Sequence, residues 1–123
     1  MPYVLDGDNL IGTARRGRAA TEDRDALIAE ISDRLRKTRA KVILFFDGTG
    51  TPVSLGNLSV RFAGAMSADD AIVREISRAG RPRETTVVTA DHGLARRVRD
   101  TGARAISPQD FWRQFGSTAA PSP

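Results

Sequence analysis

Cysteine is absent from this chain of 123 residues, and histidine occurs only once. Without thiolates, the chain can form neither disulfide bonds nor cysteine-based zinc sites. A single histidine also leaves almost no material for a zinc cluster or a serine–histidine–aspartate triad. We therefore expect that any metal ion bound by this protein is held by oxygen ligands.

Long apolar runs are also missing, because no segment approaches the roughly 18 to 20 apolar residues that a membrane-spanning helix needs. Residues 1–6 lack the basic region and apolar core of a signal peptide, so we expect a cytoplasmic protein. With 40% apolar and 28% charged residues, the chain is long enough for one core. We predict a single domain over residues 1–115 and a disordered tail over residues 116–123.

Lysine is scarce, since the basic residues are 17 arginines and 2 lysines against 15 acids, for a net charge of +4. The planar, forked guanidinium suits phosphate better than a point charge does. A polyanionic partner is one interpretation of this composition. The alternative is that arginine enrichment reflects genome base composition and that the charges cover a solvated surface.

Short apolar or β-rich runs alternate with helical patterns along the chain. Strands are predicted at residues 3–5, 42–46, 58–63, 86–90 and 103–106. Helices are predicted to begin near residues 21, 68, 92 and 108, and residues 12–20 are expected to form a basic loop. This alternation predicts an α/β fold of three layers, α/β/α and Rossmann-like, around a mainly parallel sheet of about 4–5 strands. The aromatic residues of the last helix are expected to pack in the core, with a homodimer contact as the alternative.

Aspartates follow the predicted strands at the point where each strand ends. Asp6, Asp47 and Asp91 come directly after three of the strands, and Asp69 and Asp70 open a helix. In an open parallel sheet, the carboxyl ends of the strands and the amino termini of the following helices share one edge. We therefore expect all five acids to lie in one region.

Each acid also has a structural explanation, because aspartate is favoured in turns and at helix starts. Their coincidence favours a functional interpretation, since two carboxylates about 4 Å apart repel by roughly 4 kcal/mol at an effective dielectric constant of 20. A cation would relieve this repulsion, and oxygen ligands select Mg²⁺ or Mn²⁺. Such an ion can activate water and stabilise the leaving group at a phosphodiester, so the pattern predicts a nuclease. We expect the helix dipole to keep Asp69 ionised.

The sequence of residues 3–12, Tyr-Val-Leu-Asp-Gly-Asp-Asn-Leu-Ile-Gly, resembles the opening Asp-x-x-Asn signature of NYN domains. These are PIN-like ribonucleases that include the bacterial YacP-like group. Residues 67–73 and 87–91 look like the second and third acidic motifs of this family, in the right order, and the likeness covers roughly residues 3–113. It implies a PIN-like fold and hydrolysis of RNA, single-stranded or structured, by what we expect to be an endonuclease.

By this resemblance, Asp6, Asp69 and Asp91 are the catalytic, metal-binding acids, and Asp70 is an added ligand. Asn9 is expected to orient Asp6 or to contact the substrate, although an ordinary turn residue is the alternative.

Some relatives carry a further acid four residues after the third motif, where this chain has Ala95. Asp47 is a candidate for the missing catalytic charge, because Phe46-Asp47-Gly48 is similar to a segment of the related flap-type nucleases. A simple Asp-Gly turn is the alternative.

The predicted basic loop contributes Arg15, Arg16 and Arg18, which are candidates for binding the RNA backbone at the same edge. The alternative is a mobile, solvated loop. The arginines at 96, 97 and 99 are expected on the solvated side of their helix.

Two other functions remain open at this point. A non-catalytic RNA-binding module of the same fold is favoured by Ala95. A haloacid-dehalogenase-like phosphatase is suggested by the Asp6-Gly7-Asp8 triplet. That family places a threonine or serine strand end and then a lysine before its final acid pair. Here the acid pair at 69 and 70 precedes Thr89, and both lysines, Lys37 and Lys41, precede the pair and Thr89 alike, so the order of motifs disfavours the phosphatase.

Overall fold

A mainly parallel sheet forms the centre of the computed structural model, which describes residues 2–14 and 21–116. Within these residues the sheet has six strands in the order β3-β4-β2-β1-β5-β6, and only β3 runs antiparallel to its neighbour. The strands are β1 (Pro2–Asp6), β2 (Lys41–Phe46), β3 (Val53–Leu55), β4 (Leu58–Phe62), β5 (Thr86–Val88) and β6 (Arg104–Ile106).

Helices connect the strands and cover the sheet on both faces. They are α1 (Gly7–Ala14), α2 (Thr21–Leu35), α3 (Ala68–Ala79), α4 (His92–Asp100) and α5 (Pro108–Gly116), and a short 3-10 helix spans Pro82–Glu84. None of the helices in the described part of the chain is long and apolar enough to cross a membrane.

Neighbouring residues of the central strands point to opposite faces, as the pleat of a strand requires. Leu5 joins a buried cluster with residues of α1, α2 and α5, whereas Val4 joins a second cluster with residues of α3 and α4. Phe111 is buried in the first cluster, and Trp112 and Phe115 pack against it. The three-layer fold and the core packing of α5 are therefore confirmed.

Among the described residues, three elements were not predicted from the sequence patterns, namely β3, α1 and the short 3-10 helix. Strand β3 was missed because it is only three residues long and all three are exposed, so it offers too short a pattern to indicate a strand. Helix α1 was missed because its first residues are turn formers. Burial of Leu10 and Ile11 against the sheet stabilises the helix instead.

Two predicted segments fall partly outside the described residues. Residues 12–14 of the predicted loop belong to α1, and residues 15–20, which include Arg15, Arg16 and Arg18, are not described. Helix α5 includes Gly116, the first residue of the predicted tail, and residues 117–123 are not described. The division into domain and tail stays a prediction.

Strand register brings the ends of the parallel strands together. Asp6 lies opposite Phe45, and Leu5 lies opposite both Leu44 and Val88. At this edge Gly7 begins α1 so close to β2 that an added Cβ would lie 2.4 Å from the ring of Phe46. The first turn of α1 can therefore approach the strand ends only because position 7 has no side chain.

Candidate active site

Asp6 is the most deeply buried of the predicted acids, with 6% of its surface exposed. Its Oδ2 accepts a hydrogen bond of 3.3 Å from the hydroxyl of Thr89. The pKa of Asp6 is raised from 3.8 to about 7, mainly by burial and in addition by the negative charges of Asp69 and Asp47. The hydrogen bonds from Thr89 and from the backbone of Asn9 lower the pKa, but by less. The pKa of this carboxyl is thus set by its burial and by other acids.

Asp69 lies in the first turn of α3 and is half-buried. Burial raises its pKa, the charge of Asp91 raises it further, and the guanidinium of Arg97 opposes the change. Charges on Asp47 and Asp70 contribute in the same direction as Asp91. Burial and neighbouring carboxylates thus disfavour the charged form of Asp69, and the expectation that the helix dipole keeps this acid ionised stays a prediction.

Asp91 caps helix α4, since its Oδ1 accepts a hydrogen bond of 3.0 Å from the amide of Leu94. Its own amide donates to the hydroxyl oxygen of Thr89 over 3.1 Å. The buried hydroxyl of Thr89 therefore links Asp6 to Asp91. Sequence reasoning missed this residue, although it stands in the predicted strand two positions before the third motif acid.

Asn9 connects helix α1 to the loop after β5. The side-chain Oδ1 of Asn9 accepts a hydrogen bond of 2.7 Å from the amide of Ala90, while the backbone amide of Asn9 donates to Asp6. Both contacts lie at the predicted site. The side chain is thus fixed by the backbone next to Asp91.

Asp47 holds the start of helix α3, because its Oδ1 accepts a hydrogen bond of 2.9 Å from the amide of Ala68. The amide of Asp47 donates in turn to Oδ2 of Asp8 over 3.0 Å. Arg24 binds both carboxylate oxygens of Asp8, at 2.9 and 2.8 Å, and donates to the carbonyl of Asp47 at 3.2 Å. We call Asp8, Arg24 and Asp47 the α3 anchor. The roles of Asp8 and Arg24 were not foreseen, because they join residues that are remote in sequence.

Asp70 forms an ion pair with Arg97, whose Nη2 lies 2.9 Å from Asp70 Oδ1. Its amide donates to Oγ of Ser67, as the predicted cap requires. Both side chains of the pair are about half exposed, so the ion pair is open to competition from solvent or a cation.

The structure brings the five predicted acids into one electrostatic neighbourhood. The charges of Asp69 and Asp47 raise the pKa of Asp6. The charges of Asp91, Asp47 and Asp70 raise the pKa of Asp69. Among residues 2–14 and 21–116, however, no three histidine or acidic side chains form a group arranged to hold a metal ion.

An α/β domain with acids along the carboxyl edge of a mainly parallel sheet has the architecture of the PIN-like class. Residues 3–122 match the model of the YacP-like NYN domain, and the chain belongs to this family. No curated protein is detectably similar to the chain.

Solved structures share the fold, and two of them are crystal structures of the same protein. The crystal structure of Rae1 (YacP) from Bacillus subtilis is 24% identical, with a TM-score of 0.75, and the alignment covers 95% of this chain and 74% of that one. A point mutant of the same protein gives 22% identity and a TM-score of 0.73, covering 94% and 75% of the two chains.

Proposed function

We propose that this protein is a metal-dependent ribonuclease that hydrolyses phosphodiester bonds of RNA. The observation that carries the proposal is the environment of Asp6, a buried carboxyl whose pKa is raised to about 7 by burial and by the charges of other acids. Such an arrangement costs folding free energy when the acids are ionised, and clusters of this kind occur preferentially at functional sites. Membership of the YacP-like NYN family supports the same activity.

The donor set fits Mg²⁺ or Mn²⁺, because the side chains that converge are carboxylates. Mg²⁺ is usually bound through one or two carboxylates, water and substrate phosphates, so a group of three protein ligands is not required before RNA binds. Asp6 and Asp69 would hold the ion, and Asp91 would complete the site. The ion would supply a water of lowered pKa and would neutralise charge on the phosphate.

The remaining residues position these acids. The hydroxyl of Thr89 and the amide of Asn9 orient Asp6, and the α3 anchor fixes the helix that carries Asp69. Asp70 would bind the metal ion only if its ion pair with Arg97 were broken. We assign the binding of RNA to Asn9 and to the arginines at 15, 16 and 18, the last three on the basis of sequence alone.

Of the two other functions, the non-catalytic RNA-binding module remains the alternative, supported by Ala95. The phosphatase would need Asp8 as a proton donor. In the structure both oxygens of Asp8 accept hydrogen bonds from Arg24, and this pairing within the fold disfavours that role.

Cleavage of a labelled circular single-stranded RNA, with Mn²⁺ or with a chelator, tests the proposal. We expect metal-dependent cleavage that is lost in Asp6→Asn, and a circular substrate reports only endonucleolytic cuts. RNA binding without cleavage at any metal concentration would support the module instead. Hydrolysis of p-nitrophenyl phosphate with a trapped phospho-aspartate would support the phosphatase.

A further inference from the structure

A cavity of about 290 Å³ lies beside Asp91, between helix α4 and the end of strand β6. The helix contributes His92, Ala95 and Arg99, which are three and four residues apart and therefore form one row along its surface. Residues 105–107 form the opposite wall. Because Asp91 lines the same cavity, a molecule bound here would adjoin the candidate active site. We call it the α4–β6 cavity.

We propose that the α4–β6 cavity binds one nucleotide of the RNA strand, with its phosphate on Arg99 and its sugar and base over Ala95. This inference rests on the proposed ribonuclease function. It states where the part of the RNA chain next to the cleaved bond would lie.

The charge of Arg99 is available for a ligand. Within residues 2–14 and 21–116, its side chain is exposed and has no ion pair or side-chain hydrogen bond, whereas Arg97 on the same helix is paired with Asp70. Long side chains on a helix lean towards its amino terminus, which would direct the guanidinium of Arg99 back over the cavity. A guanidinium offers several donors in one plane, the geometry that binds phosphate oxygens.

The residues that line the cavity suit a nucleoside. Ala95 is small and only 7% exposed, and Ala105 and Ile106 provide further apolar surface. His92 and Ser107 add polar groups to the wall, so apolar surface and a few polar groups converge as in other small-molecule sites. An acid at position 95 would repel a phosphate, and alanine does not.

The binding of adenosine 5′-monophosphate and of a single-stranded oligoribonucleotide, measured by NMR with chelator present, tests the inference without any cleavage. We expect shifts in the amide signals of residues 105–107 when the nucleotide is added. Arg99→Gln should weaken the binding of both ligands about five- to tenfold. It should also reduce the slope of log affinity against log salt concentration by about one, as expected for the loss of one phosphate contact. Arg96→Gln is the matched control, because Arg96 is exposed on the same helix but does not line the cavity. Its effect should stay below about twofold.

Ala95→Leu supplies a second, steric test, since the larger side chain would fill the floor of the cavity. We expect nucleotide binding to be lost while Arg96→Gln and the unmodified protein still bind. Equal effects of Arg99→Gln and Arg96→Gln, or nucleotide-induced shifts confined to other surfaces, would overturn the inference. Nucleotide binding at this cavity in a protein that cleaves no RNA would instead count against the ribonuclease proposal alone.

Discussion

Asp47 Oδ1 accepts a hydrogen bond of 2.9 Å from the amide of Ala68, the first residue of helix α3. This bond joins the end of strand β2 to the helix that carries Asp69. The sequence suggested that Asp47 replaces a catalytic charge. The hydrogen bond favours a different role, in which Asp47 is a positioning residue that sets the distance between Asp69 and Asp6.

Replacing Asp47 distinguishes these roles. Asp47→Asn keeps an acceptor for the amide of Ala68, so we expect kcat to stay within about tenfold of the unmodified protein. Asp47→Ala removes the acceptor and should cost about 1–2 kcal/mol of stability, together with most of the activity. If the asparagine variant were as inactive as Asp6→Asn while remaining folded, the charge itself would be required and the positioning role would be wrong.

The raised pKa of Asp6 predicts a pH dependence of stability in metal-free protein. Between pH 4 and 7 the folded state holds a proton on Asp6 that the unfolded state has lost, so the free energy of unfolding should fall as pH rises. The loss should be on the order of a few kcal/mol, complete above about pH 7. Urea denaturation with chelator present measures it. Asp6→Asn should remove most of this slope and be more stable than the unmodified protein at pH 8.

Asp69→Asn is a second test of whether charge repulsion within the acid cluster lowers the stability of the protein. We expect cleavage to be lost while the melting temperature is preserved or raised, because one carboxylate leaves a group whose charges raise the pKa of Asp69. Asp110→Asn is the control, since Asp110 also lies in the first turn of a helix but forms an exposed ion pair with Arg113. The control should keep full activity. A marked loss of structure in Asp69→Asn alone would show that Asp69 has a structural role.

The close approach of α1 to β2 predicts opposite effects of alanine at two glycines of the same helix. In Gly7→Ala the new methyl group would meet the ring of Phe46 at 2.4 Å and the carbonyl of Phe45 at 2.9 Å. We expect a loss of about 2–3 kcal/mol. Gly12→Ala meets nothing within 4 Å and should stabilise α1 by about 0.5–1 kcal/mol. Thermal unfolding of both variants checks the contrast, and a stable Gly7→Ala would mean that α1 starts elsewhere.

The site was predictable to the extent that it depends on local sequence. Asp91 follows a β-rich run and caps a helix, and Ser67 caps the helix that holds Asp69 and Asp70, as their spacing indicated. The convergence of these acids followed from the alternation of strands and helices, since all parallel strands end at one edge. Helix α1 was not predictable in this way, because its stability comes from burial of two side chains against the sheet.

The sequence by itself determined the alternation of strands and helices, the caps and the position of each acid relative to its strand, because these depend on residues a few positions apart. The tertiary structure alone decided which partners the acids have. Thr89 reaches Asp6 across 83 positions and Arg24 reaches Asp8 across 16, and such contacts arise only after the crossovers have stacked the elements. The cavity between α4 and β6 has the same origin, since its two walls come from a helix and a strand that meet only in the fold.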